Sequence, residues 1–170
     1  MTRIGLLSDT HSFFDENILE HFKNCDEIWH AGDFGQGEIH ETIINHFQEK
    51  LNKKIIFRGV YGNIDDASIR NIFPEKLFFT CENVPVYMIH IGGYPGRYSQ
   101  GVKDEIVKTK SKIFVSGHSH ILKIMYDDKI GCLHINAGAA GKQGWHKVRT
   151  IIRFAIDGDN IKDCEVIELS

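Results

Sequence analysis

The chain has 170 residues, a formal net charge of −3, 42% hydrophobic and 25% charged residues. This composition is typical of one globular domain and argues against a disordered chain. Because there is no overall basic field, we expect neither a stable nucleic-acid complex nor binding to an anionic membrane. The four scattered cysteines, the short N-terminal apolar run and the lack of an apolar stretch of about 20 residues predict a cytoplasmic protein with reduced thiols.

The first third of the chain predicts strands that alternate with helices. Short apolar runs at 3–7, 27–30 and 54–58 predict buried strands. Apolar residues at helical spacing predict one helix at 15–24 and a second that begins near Ile39. Strands joined by helices of this length imply right-handed crossovers and a parallel sheet.

The rest of the chain predicts mainly hairpins. Paired runs are found at 76–81 with 84–89, at 122–126 with 131–135, and at 150–156 with 161–167; a helix at 102–108 and a strand at 113–115 lie between them. We therefore predict one mixed α/β domain over residues 1–170. Two packed β-sheets flanked by helices, in four layers, fit this order of elements.

Five separate segments place Asp, Asn or His just past the carboxyl end of a predicted strand. The residues are Asp9, His11, Asp33, Asn63, His90, His118 and His120. Ligand sites of open α/β sheets form at this edge, because the loops of neighbouring strands converge there. In an extended segment residues i and i+2 point the same way, so Asp9 with His11, and His118 with His120, can each present two ligands to one side. Carboxylate, amide and imidazole groups without a thiolate suit Mn²⁺, Fe, Zn²⁺ or Co²⁺ better than Ca²⁺.

The five segments, read as D-x-H, G-D, G-N, H and G-H-x-H in this order, resemble the motifs of the calcineurin-like metallophosphoesterase superfamily. The short chain and the G-N-x-D form are similar to the small bacterial and archaeal phosphodiesterases of that superfamily. The resemblance runs from Ser8 to about residue 120. It implies a β-sandwich flanked by helices, which agrees with the predicted elements.

The resemblance also implies roles for the seven residues. Asp9, His11 and His120 would hold one divalent ion, Asn63, His90 and His118 would hold a second, and Asp33 would bridge them. The implied reaction is hydrolysis of a small or nucleotide-like phosphoester, in the first place a phosphodiester, by a metal-bridging hydroxide. We expect Mn²⁺ as the cofactor, with Fe, Zn²⁺, Co²⁺, Ni²⁺ or Mg²⁺ as alternatives. Homo-oligomers are common in the superfamily, although no segment of this sequence identifies an interface.

Two departures from the superfamily pattern leave roles open. Ile64 takes the place of a histidine that protonates the leaving group in many members, so Asp65, a loop residue or water would have to substitute. In the loop after His90, Arg97 could grip a phosphate oxygen while Tyr94 or Tyr98 stacks on a base, or the segment could be an ordinary glycine-rich surface loop. His30, beside the Gly32-Asp33 turn, could orient a ligand.

A non-catalytic function is the alternative. The retromer scaffold subunit belongs to the same superfamily and serves as an interaction platform, and the missing histidine at Ile64 keeps this interpretation open. Among the remaining residues, we expect His21, His40 and His46 to be exposed on helices, and Trp29 and Trp145 to be packing residues.

Overall fold

A computed structural model of the protein describes all 170 residues. Four helices are present: α1 (Asn17–Phe22), α2 (Ile39–Leu51), α3 (Ala67–Arg70) and α4 (Val102–Thr109). The strands are β1 (Thr2–Leu7), β2 (Glu27–His30), β3 (Ile56–Gly59), β4 (Lys76–Cys81), β5 (Val84–Ile89), β6 (Gly93–Tyr94), β7 (Arg97–Tyr98), β8 (Ile113–Ser116), β9 (Leu122–Asp127), β10 (Cys132–Ala137), β11 (Arg149–Asp157) and β12 (Asn160–Leu169). The longest helix has 13 residues, and none has the length and hydrophobicity needed to cross a membrane.

The strands form two five-stranded sheets and one small hairpin. The first sheet has the order β12-β11-β1-β2-β3, the second has the order β4-β5-β8-β10-β9, and β6 pairs with β7. Within the first sheet β1, β2 and β3 are parallel, and within the second β5, β8 and β10 are parallel. The predicted parallel half and the three predicted hairpins are therefore confirmed.

The main hydrophobic core lies between the two sheets. It contains 16 buried residues, drawn from both sheets. Trp29 is fully buried at its centre, with its ring edge-on to Phe79 and Phe154 at centroid distances of 5.0 and 5.5 Å. Burial of apolar surface at this scale is the dominant stabilising term of such a sandwich. The prediction that Trp29 is a packing residue is confirmed.

Helices cover the outer faces of both sheets. Ile18 and Phe22 of α1 and Ile43 and Phe47 of α2 are buried together in a second apolar cluster over the first sheet. Val102 and Ile106 of α4 pack with Tyr87 and Phe114 over the second sheet. The order helix, sheet, sheet, helix matches the predicted four-layer architecture.

Some local predictions were wrong. Helix α1 has six residues instead of the ten predicted at 15–24. Before the helix, Asp15 accepts a hydrogen bond from the Asn17 amide (3.0 Å), which holds residues 15–17 in a turn. His40 is buried, and its ring lies 5.3 Å from that of Phe73 at the inner side of α2. Trp145 is fully exposed and is therefore not a packing residue. Helix α3 and the β6–β7 hairpin were not predicted.

Candidate metal centre

The seven predicted ligands meet at one edge of the two sheets. Two groups of three have ligand atoms that all lie within 4.8 Å of one another: Asp9, His11 and His120 form the first group, and Asp33, His90 and His118 the second. Asn63 joins the second group, since its Oδ1 lies 3.0 Å from His118 Nδ1. Loops from five distant stretches of the chain therefore form one polar cluster, as the strand-end pattern predicts.

Asp33 lies between the two groups. Its Oδ2 is 3.3 Å from His11 Nε2 and 3.1 Å from His90 Nε2. On the other side of the cluster, Asp9 Oδ1 is 3.2 Å from His120 Nε2 and 3.8 Å from His90 Nε2. One carboxylate oxygen of each aspartate thus faces histidines of both groups. Asp33 approaches both groups closely, as a ligand shared between neighbouring cations would, whereas Asp9 approaches the first group more closely than the second.

Each aspartate has one oxygen held by the protein and one oxygen that faces the cluster. Asp9 Oδ2 accepts hydrogen bonds from Ser8 Oγ (2.6 Å) and the His118 amide (3.1 Å), while Asp33 Oδ1 accepts one from the Ile64 amide (3.0 Å). His90 is held in the same way, because its Nδ1 donates to the Ala31 carbonyl at 2.7 Å. The second nitrogen of that ring, Nε2, is therefore aimed at the cluster with its lone pair.

Two atoms of the cluster are buried without a hydrogen-bond partner. They are Asp9 Oδ1 and His90 Nε2, which lie 3.8 Å apart. A buried polar atom without a partner costs roughly 1–3 kcal/mol, and two lone pairs that face each other also repel. A divalent cation that accepts both lone pairs removes both costs. The donor atoms therefore fit a metal site.

Electrostatic interactions keep the aspartates ionised. Burial raises the pKa of the Asp9 carboxyl, but the neighbouring imidazoles of His11, His120 and His90 outweigh this effect, so the pKa lies below its usual value. The same balance holds at Asp33, where the nearby His90 imidazole and the Ile64 amide outweigh burial, and the pKa is also lowered. Two carboxylates at full negative charge are what a pair of cations requires.

The backbone of the cluster is unusual. Asp9, His11, Asp33, His118 and His120 all have positive φ, between 45° and 71°. Left-handed backbone costs a non-glycine residue about 1–2 kcal/mol and concentrates at functional sites. Close approach is also required: a Cβ at Gly62 would lie 2.1 Å from Asp33 Oδ1. Only glycine therefore fits beside the shared carboxylate.

His30 links the loops that carry the ligands. The ring is fully buried, and burial lowers its pKa to about 3, so it is neutral. Its Nδ1 accepts from the Gly32 amide (3.1 Å), and its Nε2 therefore donates to Thr10 Oγ1 (3.1 Å). The Thr10 hydroxyl in turn donates to the Phe34 carbonyl at 2.9 Å. His30 thus joins the loop of Asp9 and His11 to the loop of Asp33 through the Thr10 hydroxyl and the Gly32 amide, and forms no hydrogen bond with the ligand side chains.

The structure gives Asp65 a different environment from the one expected for a proton donor. Asp65 is buried, and its two oxygens accept hydrogen bonds from the amides of Gly35 (2.9 Å) and Gly62 (2.8 Å). Both oxygens are therefore used to join neighbouring loops. This geometry does not support the prediction that Asp65 replaces the missing histidine.

Arg97 lies away from the cluster. Its exposed side chain lines a surface pocket of about 590 Å³ together with residues such as Asp104 and Asp127, and that pocket contains none of the seven predicted ligands. The prediction that Arg97 grips a phosphate oxygen is therefore not supported, and the surface-loop alternative fits the structure better.

The loop before β11 is the part of the site that sequence reasoning missed. His146 Nε2 donates to the Gly141 carbonyl (2.8 Å), and the His146 ring lies edge-on to that of His120 at 5.1 Å. Gly144 approaches His120 closely as well, since a Cβ there would lie 2.2 Å from His120 Nδ1. β11 is antiparallel to β1 and starts at the edge where β1 ends, so this loop lies beside the cluster. No motif marks it, and only the sheet order could have located it.

The chain is similar to known proteins both in sequence and in fold. A sequence model described as the calcineurin-like phosphoesterase superfamily domain matches residues 2–159. No curated protein matches the chain. Among solved structures, an archaeal phosphodiesterase is similar, with 21% identity, a TM-score of 0.72, and 98% of this chain and 99% of that chain covered.

Two further solved structures have the same fold. A predicted phosphoesterase from Streptococcus pneumoniae is 19% identical with a TM-score of 0.70, over 98% of this chain and 89% of that one. Vps29 from Entamoeba histolytica, solved in complex with zinc, is 14% identical with a TM-score of 0.70, over 98% of each chain. The match over nearly the whole sequence shows that the chain belongs to the calcineurin-like phosphoesterase superfamily.

Proposed function

We propose that the protein is a phosphodiesterase that depends on two divalent metal ions held by the seven clustered residues. The observation that carries this proposal is the position of Asp33 Oδ2, within 3.3 Å of a histidine nitrogen from each group. A pair of ions in such a site, when bound, supplies Lewis-acid stabilisation of a phosphate group and activates water near neutral pH.

The residues divide between the two ions as the two groups indicate. Asp9, His11 and His120 would hold one ion, and His90, His118 and Asn63 the other, with Asp33 shared. The chain then supplies two negative charges to about four positive ones, so the loaded site has a net positive charge of about 2. Neutral Asn63 preserves that charge, which would attract a phosphodiester and stabilise its developing negative charge.

Access to the proposed centre is asymmetric. Asp9 and Asp33 are buried, whereas His118 and Asn63 are exposed. A substrate would therefore approach over the second group. Ile64, next to Asn63, is 44% exposed and cannot donate a proton. Since a positioned acid contributes about 10²–10⁴-fold, we expect a preference for substrates whose leaving group needs no protonation.

Hydrolysis of bis(4-nitrophenyl) phosphate with added Mn²⁺ tests the proposal. In Asp33→Asn we expect kcat/KM to fall more than about 100-fold, because even partners that only orient a ligand contribute about 10–100-fold. Asp159→Asn is the matched control, because that carboxylate is exposed and makes no side-chain contact. Equal rates for wild type and Asp33→Asn would remove the proposal.

A non-catalytic scaffold is the second candidate. The aliphatic side chain at Ile64 favours it, as does the similarity of fold to Vps29. Because the Entamoeba protein was solved with zinc, metal binding alone does not separate the two functions. A purified protein that binds Mn²⁺ or Zn²⁺, hydrolyses no phosphodiester and captures one partner in stoichiometric amount would favour the scaffold.

A further inference from the structure

A second cavity lies directly beside the exposed end of the proposed centre. It has a volume of about 230 Å³ and is bordered by His118 and Ser119 on one side and by Gly93 and Tyr94 of the β6–β7 hairpin on the other. His134 also lines it. The proposed mechanism uses none of these groups except His118. A cavity of this size holds one ring system and is smaller than the usual site of a whole drug-sized ligand.

His134 presents a hydrogen-bond acceptor to this cavity. The side chain is 1% exposed, and its Nδ1 lies 3.2 Å from the Phe114 carbonyl, so Nδ1 carries the hydrogen and donates it. Burial lowers the pKa of His134 to about 4, which keeps the ring neutral. Nε2 therefore has a free lone pair, and it makes no hydrogen bond within the protein. Nε2 is therefore the ring atom that can accept from an N–H or O–H group of a ligand in this cavity.

Lys123 presents a donor to the same cavity. Its ammonium lies 3.7 Å from the centre of the Tyr94 ring in a cation–π contact and forms neither an ion pair nor a hydrogen bond within the protein. Lys123 pairs with Asn136 across β9 and β10, which makes it a diagonal neighbour of His134. Diagonal neighbours lie about 7–8 Å apart on one face, so one flat ring can reach both groups.

We propose that this cavity binds the base of a nucleoside phosphodiester. A nucleobase combines the features that match this cavity: a flat ring that can lie beside Tyr94, an N–H donor for His134 Nε2, and a neighbouring carbonyl or ring nitrogen for Lys123. The base would be bound on the outer side of the second sheet, and the phosphate would extend past His118 to the proposed centre. This inference rests on the proposed phosphodiesterase function and narrows its substrate class.

Two substrates with one leaving group test the inference. The 4-nitrophenyl phosphate diesters of a nucleoside and of methanol differ only in the second ester arm. We expect wild type to prefer the ester of at least one of the four common nucleosides, and the ratio of the two kcat/KM values to fall about tenfold or more in Lys123→Met. Lys54→Met, an exposed lysine without contacts, is the matched control and should keep the ratio. His134→Phe should lower the ratio too, since it removes the acceptor and retains a ring.

A binding measurement separates this inference from the proposed function. Titration of the ¹⁵N-labelled protein, without added metal, with each free nucleoside should shift the Gly93 and Ser119 amides and His134 Nε2, and Lys123→Met should weaken binding. If no diester is hydrolysed but these shifts occur, the phosphodiesterase proposal fails and the base site remains. The inference is overturned if wild type shows no nucleoside preference, or if inorganic phosphate produces the same shifts and displaces the nucleoside, which would mark an anion site.

Discussion

The two sheets contribute different chemistry to the proposed centre. Every oxygen ligand comes from loops of the first sheet: Asp9 after β1, Asp33 after β2 and Asn63 after β3. The second sheet contributes only imidazoles, from His90, His118 and His120. Each group of three combines at least one oxygen ligand of the first sheet with at least one imidazole of the second.

This division has a structural consequence. A cation bound by either group would be shared between the two sheets, so it would join them at one edge of the core. The free energy of cation binding would then also stabilise the packing of the two sheets against each other. Metal binding should therefore stabilise the whole fold. Removal of a ligand from either sheet should remove most of this stabilisation.

Metal binding should have the largest effect. At a free Mn²⁺ concentration 1,000 times the dissociation constant, binding adds about 4 kcal/mol to the free energy of unfolding. For a chain of this size that corresponds to a rise in Tm on the order of 10 °C, measured by differential scanning calorimetry with Mn²⁺ or with a chelator. Asp9→Asn in the first sheet and His120→Gln in the second should each lose most of this rise.

The control for this prediction is Asp159→Asn, which should respond to Mn²⁺ as wild type does. A Tm that does not change with Mn²⁺ in wild type would contradict the idea of a shared cation. A rise retained in His120→Gln but lost in Asp9→Asn would show that the first sheet binds the metal alone.

Sequence reasoning found the seven clustered residues because their signal is local. Each follows a strand, and parallel strands end at one edge, so the order of motifs along the chain was enough to bring Asp9, Asn63 and His118 together. The hairpin 76–81 with 84–89 was predicted to the residue for a similar reason, since two apolar runs flank the short turn at 82–83.

The parts that sequence reasoning missed depend on tertiary contacts. His40 has the spacing of an ordinary helical residue, and only the aromatic cluster under α2 explains its burial. His146 and His134 carry no motif, and each lies near the site because of a strand neighbour in the sheet order. Trp145 shows the opposite case, since a large apolar side chain predicts packing and the loop leaves it exposed.

Hydrogen bonds that support the ligands should have the next largest effect. Ser8, at the end of the first sheet, donates to Asp9 Oδ2 at 2.6 Å, whereas Ser116, at the end of the second, donates to the Gly93 carbonyl at 3.1 Å. Both serines are buried. Ser8→Ala should weaken Mn²⁺ binding by about 10-fold or more, because it removes the shorter of the two hydrogen bonds that hold the Asp9 carboxylate.

Ser116→Ala is the matched control for Ser8→Ala, since it removes a buried hydroxyl of the same kind that does not contact a ligand. We expect its Mn²⁺ affinity, measured by isothermal titration calorimetry, to equal that of wild type. Equal losses in the two variants would show that buried hydroxyls act on the site only through general stability.

Two buried neutral histidines, one in each sheet, should have the smallest effect of the groups considered. Burial lowers the pKa of His30 on β2 to about 3 and that of His134 on β10 to about 4. The unfolded chain takes up a proton near pH 6.5 and the folded chain does not, so the stability that each neutral ring maintains is complete above pH 6.5. It is lost by roughly 1.4 kcal/mol per pH unit as the pH falls toward the folded pKa.

Replacing either ring by glutamine removes this titration. We would measure the free energy of unfolding of wild type and of each variant by urea denaturation at pH 7, 6 and 5. Below pH 6, wild type should lose roughly 1.4 kcal/mol per pH unit relative to the variant. Only His30→Gln should also weaken Mn²⁺ binding, because only His30 joins two ligand loops, through Thr10 and Gly32. If His134→Gln weakened Mn²⁺ binding equally, the two sheets would not differ in how their buried histidines support the centre.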